Sequence, residues 1–157
     1  MTIEIGDRAP AFTLEDHTGT RVSLRDFKGK HLVVYFYPKA MTPGCTTQAC
    51  DLRDRYQSFA AAGYAIVGIS PDPVSRLATF AAEEHLPFPM LSDPDHAVAA
   101  AYGAWGMKKN YGREYQGIIR STFVIDGSGV VTTAWRNVKA AGHADRLLGL
   151  ISGSTPT

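Results

Sequence analysis

The chain has 157 residues, 45% of them apolar and 20% charged, with a formal net charge of +1. That length fits one domain, residues 1–157, with a core of its own, and the balanced charge excludes the broad cationic footprint of a nucleic-acid or acidic-membrane binder. No apolar run reaches the roughly 20 residues of a membrane span. The N-terminus lacks the charged-then-apolar pattern of an export signal, so a cytoplasmic location is expected.

In chain order, residues 11–14 and 20–24 read as two short extended stretches joined by a turn at His17-Thr18-Gly19. The run His31-Leu-Val-Val-Tyr-Phe-Tyr37 reads as a buried central strand, followed by a loop over 38–44. An amphipathic helical pattern free of Gly and Pro then runs from about 45 to 62, with Gly63 as its stop. Residues 64–70 form a second apolar, strand-like run, and Pro71-Asp72-Pro73 opens a helix to about His85. Asp93-Pro94 begins a short Ala-rich helix ending near Gly103. Residues 104–117 carry aromatics without a clear period and read as a surface loop containing Trp105, Lys108, Lys109, Tyr111 and Tyr115. Residues 121–126 and 130–136 read as a hairpin about Asp126-Gly127-Ser128-Gly129. A last helix spans about 143–151, and residues 152–157 read as a frayed tail. Strands alternating with helices, then a hairpin and a final helix, predict an α/β architecture with a mixed sheet.

Within this pattern Cys45 falls where a strand–loop–helix unit presents free backbone N–H groups and the positive end of a helix dipole. A thiol at such a position is pushed toward thiolate, the form that acts as a nucleophile. Open α/β sheets place their sites at the carboxyl ends of central strands, which is where this loop lies. In a reducing compartment the two cysteines, Cys45 and Cys50, point to redox chemistry rather than to a structural staple. A structural zinc site wants four ligands, and a C-x4-C pair with no histidine near it in sequence does not supply them. The histidines at 17, 31, 85, 96 and 143 are scattered, and none is assigned a catalytic role.

Three stretches match a known pattern. Gly6-Asp7-x-Ala9-Pro10-x-Phe12-x-Leu14, Pro38-x3-Thr42-x2-Cys45 and Ile119-Arg120-Ser121-Thr122-Phe123-Val124-Ile125-Asp126 resemble the peroxiredoxins. Thr42-Pro43-Gly44-Cys45-Thr46, the second cysteine five residues on, and Tyr111-Gly112 ahead of Gly117-Ile-Ile-Arg120 resemble the peroxiredoxin Q, or bacterioferritin comigratory protein, branch. The resemblance covers essentially the whole chain. It implies a thioredoxin-like α/β fold with an N-terminal β-hairpin extension and a monomer with no metal, heme or flavin. The implied activity reduces hydrogen peroxide and organic hydroperoxides and is recycled by thioredoxin or a thioredoxin-like reductant. By position, Cys45 becomes the peroxidatic cysteine, Thr42 and Arg120 its activating partners, Pro38 the pocket shield and Cys50 the resolving cysteine. Gln48 departs from the pattern, because many relatives carry glutamate there. Any ion pair built from that glutamate is in doubt here.

Thiolate attack on one oxygen of an O–O bond builds charge on the other. Lowering a thiol from about 8.5 to about 6 raises the thiolate fraction at most ~30-fold, or about 2 kcal/mol of barrier. One donor aimed at the developing charge contributes roughly 3–4 kcal/mol. The Cys45 N–H, the Thr42 hydroxyl and the Arg120 guanidinium are the expected donors, arginine being suited by its rigid fork. On a helical wheel Cys45 shares a face with Leu52, Tyr56 and Phe59, while Cys50 points about 140° away with its α-carbon roughly 8.7 Å off. A disulfide needs α-carbons within about 7 Å, so a Cys45–Cys50 bond requires the helix start to unwind. A one-cysteine peroxidase with external thiol resolution, a disulfide oxidoreductase, a cysteine hydrolase and a non-enzymatic redox sensor remain the alternatives.

Overall fold

The computed structural model describes residues 3–110, 112–136 and 138–153. Its centre is β3 (His31–Phe36), five of whose six residues are buried. Strand alternation sends Val33 and Tyr35 to one apolar cluster and Leu32, Val34 and Phe36 to the other. A strand buried on both faces reads as an unbroken apolar run, which is how the sequence presents it. On β3's two sides lie β4 (Tyr64–Ser70), parallel to it, and β8 (Ser121–Ile125), antiparallel. Outward from these come β5 (Met90–Ser92) next to β4 and β9 (Val131–Trp135) next to β8.

The predicted N-terminal hairpin exists as β1 (Thr13–Asp16) and β2 (Arg21–Ser23). It is more than an appendage, because β1 pairs antiparallel with β5 and completes a seven-stranded mixed sheet, β2-β1-β5-β4-β3-β8-β9. The short β5, absent from the sequence reading, is the edge that accepts it.

One face of the sheet is covered by α1 (Pro43–Asp54), α2 (Tyr56–Ala61), α3 (Val74–Glu84) and α5 (His143–Gly153) through Cys45, Leu52, Phe59, Leu77, Phe80 and Leu147. The other carries α4 (Ala97–Ala101) and Tyr102. The single helix predicted over 45–62 is two helices that break at Arg55, whose backbone leaves the helical region at φ −110° and ψ 9°. The predicted face survives the break: Cys45, Leu52 and Phe59 are buried together with Tyr56 packed against them. The Ala-rich helix starts at Ala97 rather than at Asp93. The buried Asp93 carboxylate instead accepts the N–H groups of Val98 and Ala99, capping the helix from outside it. The last helix extends to Gly153, two residues into the expected tail, and residues 154–157 lie outside the described set.

The expected surface loop at 104–117 is the largest departure. It is a separate antiparallel ribbon, β6 (Trp105–Asn110) with β7 (Arg113–Ile118), in which Lys108 faces Tyr115 across the strands. A two-stranded ribbon outside the main sheet has no fully buried face, so no apolar alternation marks it. Tyr111 lies outside the described residues. Among the described residues no helix is long and apolar enough to cross a membrane.

Gly68 on β4 sits opposite Tyr35 on β3, and a Cβ there would lie 2.8 Å from the Tyr35 ring. The ring is 1% exposed and has nowhere to retreat. Gly68→Ala is therefore expected to lower unfolding stability by about 1–3 kcal/mol through overpacking. Urea denaturation compared with wild type measures it; an unchanged midpoint would mean that the core around Tyr35 yields.

Candidate active site

The parallel strands deliver the chain from Phe36 through Tyr37 and the half-buried Pro38 into a loop that ends at Thr42, the residue before α1. Pro43 occupies the first helical position, where its missing N–H costs nothing. Met41 is held at φ +65°, a left-handed conformation uncommon outside glycine. What holds the loop is an ion pair that the sequence reading passes over. The Asp72 carboxylate accepts the Ala40 N–H at 2.7 Å and the Ser70 hydroxyl at 2.8 Å, and pairs with Arg76 Nε at 3.2 Å. Arg76 Nη2 in turn donates to the Ala40 carbonyl at 2.9 Å. Both backbone polar groups of one loop residue are thereby fixed. The signal in the sequence is an aspartate between two prolines after a strand, read there only as a helix opener.

Cys45 lies in the first turn of α1 and is 1% exposed. Arg120, between β7 and β8, reaches across that turn. Its Nη2 is 3.3 Å from Cys45 Sγ, and its Nη1 donates to Gln48 Oε1. A Cβ at Gly44 would lie 3.5 Å from the same Nη2, in ordinary van der Waals contact with the guanidinium. Gln48 is fully buried and takes the place expected of a glutamate, so Arg120 is fixed by a hydrogen bond and not by an ion pair. Among the described residues its Nε2 has no hydrogen-bond partner.

Thr42 corrects one expectation. Its hydroxyl neither caps α1 nor is free to donate, because its single O–H is given to the Lys39 carbonyl at 2.7 Å. The Thr42 oxygen keeps acceptor capacity. The donors left at the thiol are Arg120 and the first-turn N–H groups of α1, which have no intrahelical acceptor.

Cys50 is half-buried, and the two cysteines are unbonded. Its Sγ donates to Glu84 Oε1 at 3.2 Å on α3, and Arg53 Nη1 donates to the Glu84 carbonyl at 2.7 Å. Burial and the Glu84 hydrogen bond push the Cys50 thiol up to about 11. It is therefore a protonated thiol, turned away from Cys45 along an intact helix. The structure brings Arg120 to Cys45, sets Thr42 just before the same helix and Pro38 at the start of the loop that leads to it, and leaves Cys50 bonded to α3.

The ribbon also reaches the site. Burial and the neighbouring Arg120 hold Lys108 below the usual lysine range, with the sulfur of Cys45 acting in the opposite sense. Gly106, two residues earlier and on the same strand face, would carry a Cβ to 3.1 Å from the Ile119 side chain.

The sequence matches the AhpC/TSA family over residues 5–134. Peroxiredoxin Bcp of Bacillus subtilis is 49% identical over 148 residues, 94% of this chain and 94% of that protein. Peroxiredoxin Bcp of Escherichia coli is 46% identical over 146 residues, 93% of this chain and 94% of that protein. Among solved structures, peroxiredoxin Q of Xanthomonas campestris is similar with a TM-score of 0.86 at 41% identity, covering 91% of this chain and 90% of its own. The bacterioferritin comigratory protein of the same organism, solved for insight into its alkyl peroxide reduction activity, matches with a TM-score of 0.86 at 41% identity over 90% of each chain. The mixed sheet flanked by helices is the thioredoxin-like fold these structures share.

Beneath the site, His143 is fully buried with Nε2 2.7 Å from Thr122 Oγ1. Burial, then the charges of Arg146 and Arg120, push it down to about 4. The unfolded chain protonates this histidine near 6.5 while the fold resists until about 4, so its contribution is complete above pH 6.5 and lost as pH falls to 4. The loss amounts to about 3 kcal/mol. His143→Gln should flatten the fall in urea midpoint between those two pH values; a wild-type slope in the variant would assign the acid sensitivity to other groups.

Proposed function

This chain belongs to the AhpC/TSA family, as a peroxiredoxin similar to the Bcp and peroxiredoxin Q proteins, and we propose that Cys45 is its peroxidatic nucleophile and Cys50 the thiol that resolves it. As a thiol-dependent peroxidase it consumes a hydroperoxide and a thiol reductant. The observation that carries the assignment of Cys45 is the Arg120 guanidinium 3.3 Å from its sulfur.

In the proposed first step the Cys45 thiolate attacks one peroxide oxygen. An S–O bond forms, the O–O bond breaks, and the leaving oxygen takes a proton and departs as water or an alcohol. Arg120 donates to the oxygens as charge moves along that axis, and the Thr42 oxygen accepts the peroxide O–H so that the substrate lies in line. Pro38 bounds the pocket. The product is Cys45 sulfenic acid. In the second step Cys50 attacks that sulfur, the S–S bond forms and water leaves. A dithiol of the thioredoxin type then supplies two electrons and two protons to restore both thiols. Organic hydroperoxides join hydrogen peroxide as substrates by analogy with the Xanthomonas protein. The protein acts as one domain, a monomer in the cytoplasm, with neither nucleic acid nor membrane as partner.

Glu84 acquires a place in this cycle. While it accepts the Cys50 hydrogen bond, the second thiol stays protonated and distant. Unwinding α1 removes the burial and the hydrogen bond together, so the same motion that shortens the distance frees Cys50 to ionise. That restraint in the folded state also favours the second reading, in which an external thiol resolves Cys45.

Cys45→Ser should abolish peroxide consumption in an NADPH assay coupled through thioredoxin reductase and thioredoxin, and more than a few per cent residual activity sinks the assignment. Arg120→Lys should slow Cys45 oxidation at least about ten-fold, because a point charge cannot replace the fork. An unchanged rate of sulfenate formation would reduce Arg120 to a structural cation.

The oxidised protein should show a 45–50 disulfide by mass spectrometry and lose amide protection over residues 45–52 while the central strands keep theirs. Cys50→Ser should form sulfenic acid once, stall with thioredoxin and overoxidise more readily. Sulfinic acid in wild type without a 45–50 link would favour external resolution.

A further inference from the structure

The opposite end of the central sheet holds a cavity that the peroxidase chemistry does not use. Strand β3 enters it at Lys30 and Leu32, and β8 leaves it at Ile125, so it is separated from the Cys45 loop by the length of β3, about 20 Å. Its volume is about 440 Å³, within the range of small-molecule sites.

Three segments build the walls. Residues 8–11 are tied to the β8–β9 turn by the Ala9 N–H on the Gly129 carbonyl at 2.9 Å and the bridge between Arg8 and Val130. The turn at Leu24–Phe27 is closed by the Lys28 and Lys30 N–H groups on the Arg25 and Phe27 carbonyls. The third contact joins the second and third walls: the Gly29 N–H donates to the Gly127 carbonyl at 2.9 Å, so close that a Cβ on Gly127 would lie 3.1 Å from the Gly29 backbone. The cavity is thus held by backbone hydrogen bonds on every side.

Its lining is lopsided in charge. Arg8, Arg25, Lys28 and Lys30 all line it, against one acid, Asp126. In the whole chain 16 basic residues face 15 acidic ones, so this concentration is local. Asp126 is already engaged, its Oδ1 accepting the N–H groups of Ser128 and Val130 and the Ser128 hydroxyl. Arg8 Nη1 is steered to this rim by the Ser128 carbonyl at 3.2 Å. The rest of the wall includes Leu24, Phe27, Leu32 and Ile125. Cations gathered around an apolar wall repel one another, and an anion with an apolar body relieves that repulsion while covering the wall.

We propose that this cavity is a binding site for a small amphipathic organic anion, an apolar or aromatic body bearing a carboxylate, sulfonate or phosphate group. The site lies outside the catalytic machinery and does not depend on the roles assigned to Cys45 or Cys50.

The test uses the full reduced chain and the fluorescent anion 8-anilinonaphthalene-1-sulfonate, with uncharged N-phenyl-1-naphthylamine as its neutral counterpart. Wild type should bind the anion at one site, more weakly as salt rises. Lys28→Gln/Lys30→Gln should weaken anion binding at least about five-fold and leave the neutral probe unaffected, since exposed charges contribute modestly and are screened. Ala11→Trp, which fills the cavity from its rim, should abolish binding of both probes. Near-ultraviolet circular dichroism checks that each variant keeps its packing, because a loosened core binds the dye for other reasons. Absence of anion binding by wild type, or equal binding by the charge variant and by the filled variant, overturns the proposal.

Discussion

The antiparallel pairing of β3 with β8 is the constraint from which the site follows. Its register sets Phe36 against Ser121, so the carboxyl end of one strand and the amino end of the other finish at the same edge. The chain leaving β3 turns into α1 and supplies Cys45, while the residue entering β8 is Arg120. Two residues 75 apart in sequence thereby meet at 3.3 Å. Other features of the site adjust this contact: Gln48 fixes the far side of the guanidinium, and Asp72 with Arg76 sets where α1 begins.

Gln48 changes the electrostatics without changing the geometry. A glutamate there would pair with Arg120 and neutralise part of its charge, whereas an amide oxygen accepts one N–H and leaves the full positive charge facing the sulfur. The cost is visible in the buried Nε2, which finds no partner among the described residues, and a lone buried donor of this kind costs roughly 1–3 kcal/mol. Lys108 adds a second cation near the same sulfur, its proton affinity lowered by burial and by Arg120. The site therefore trades local stability for positive potential where the proposed reaction develops negative charge.

What the sequence made legible follows from what its patterns encode. The buried strands at 31–36 and 64–70 announce themselves by unbroken apolar runs, and Cys45 by its place between a strand and a helix. Arg120 is visible only through its motif, because nothing local distinguishes a buried-site arginine from a solvated one. The bonds from Ala40 to Asp72 and Arg76, the Cys50–Glu84 bond and the His143–Thr122 pair join residues at least 21 positions apart, a separation that no local pattern encodes. The β6–β7 ribbon escaped for a different reason: with no face fully buried, its strands need no alternation, and the sequence between them carries no Asn-Gly or Asp-Gly signature.

The proposed cycle asks α1 to open at one end while the rest of the molecule stays folded, and the distribution of anchors suits that demand. Before the helix, Ala40 is gripped through both its N–H and its carbonyl. After Cys50, Leu52 is fully buried and Arg53 is bonded to the Glu84 carbonyl. Between these anchors lie residues 43–50, opened by Pro43 and Gly44, both poor helix formers, followed by two threonines. The hydroxyl of Thr42 goes to the loop instead of capping the helix, so this end also lacks the side-chain acceptor that stabilises a first turn. The Arg120 contact is then a principal hold on Cys45 in the folded helix. Oxidation turns the sulfur that this contact grips into a bulkier, uncharged sulfenic acid in a space where Cys45 is already 1% exposed. The chemistry that calls for the helix to open thus also weakens the interaction that keeps it closed.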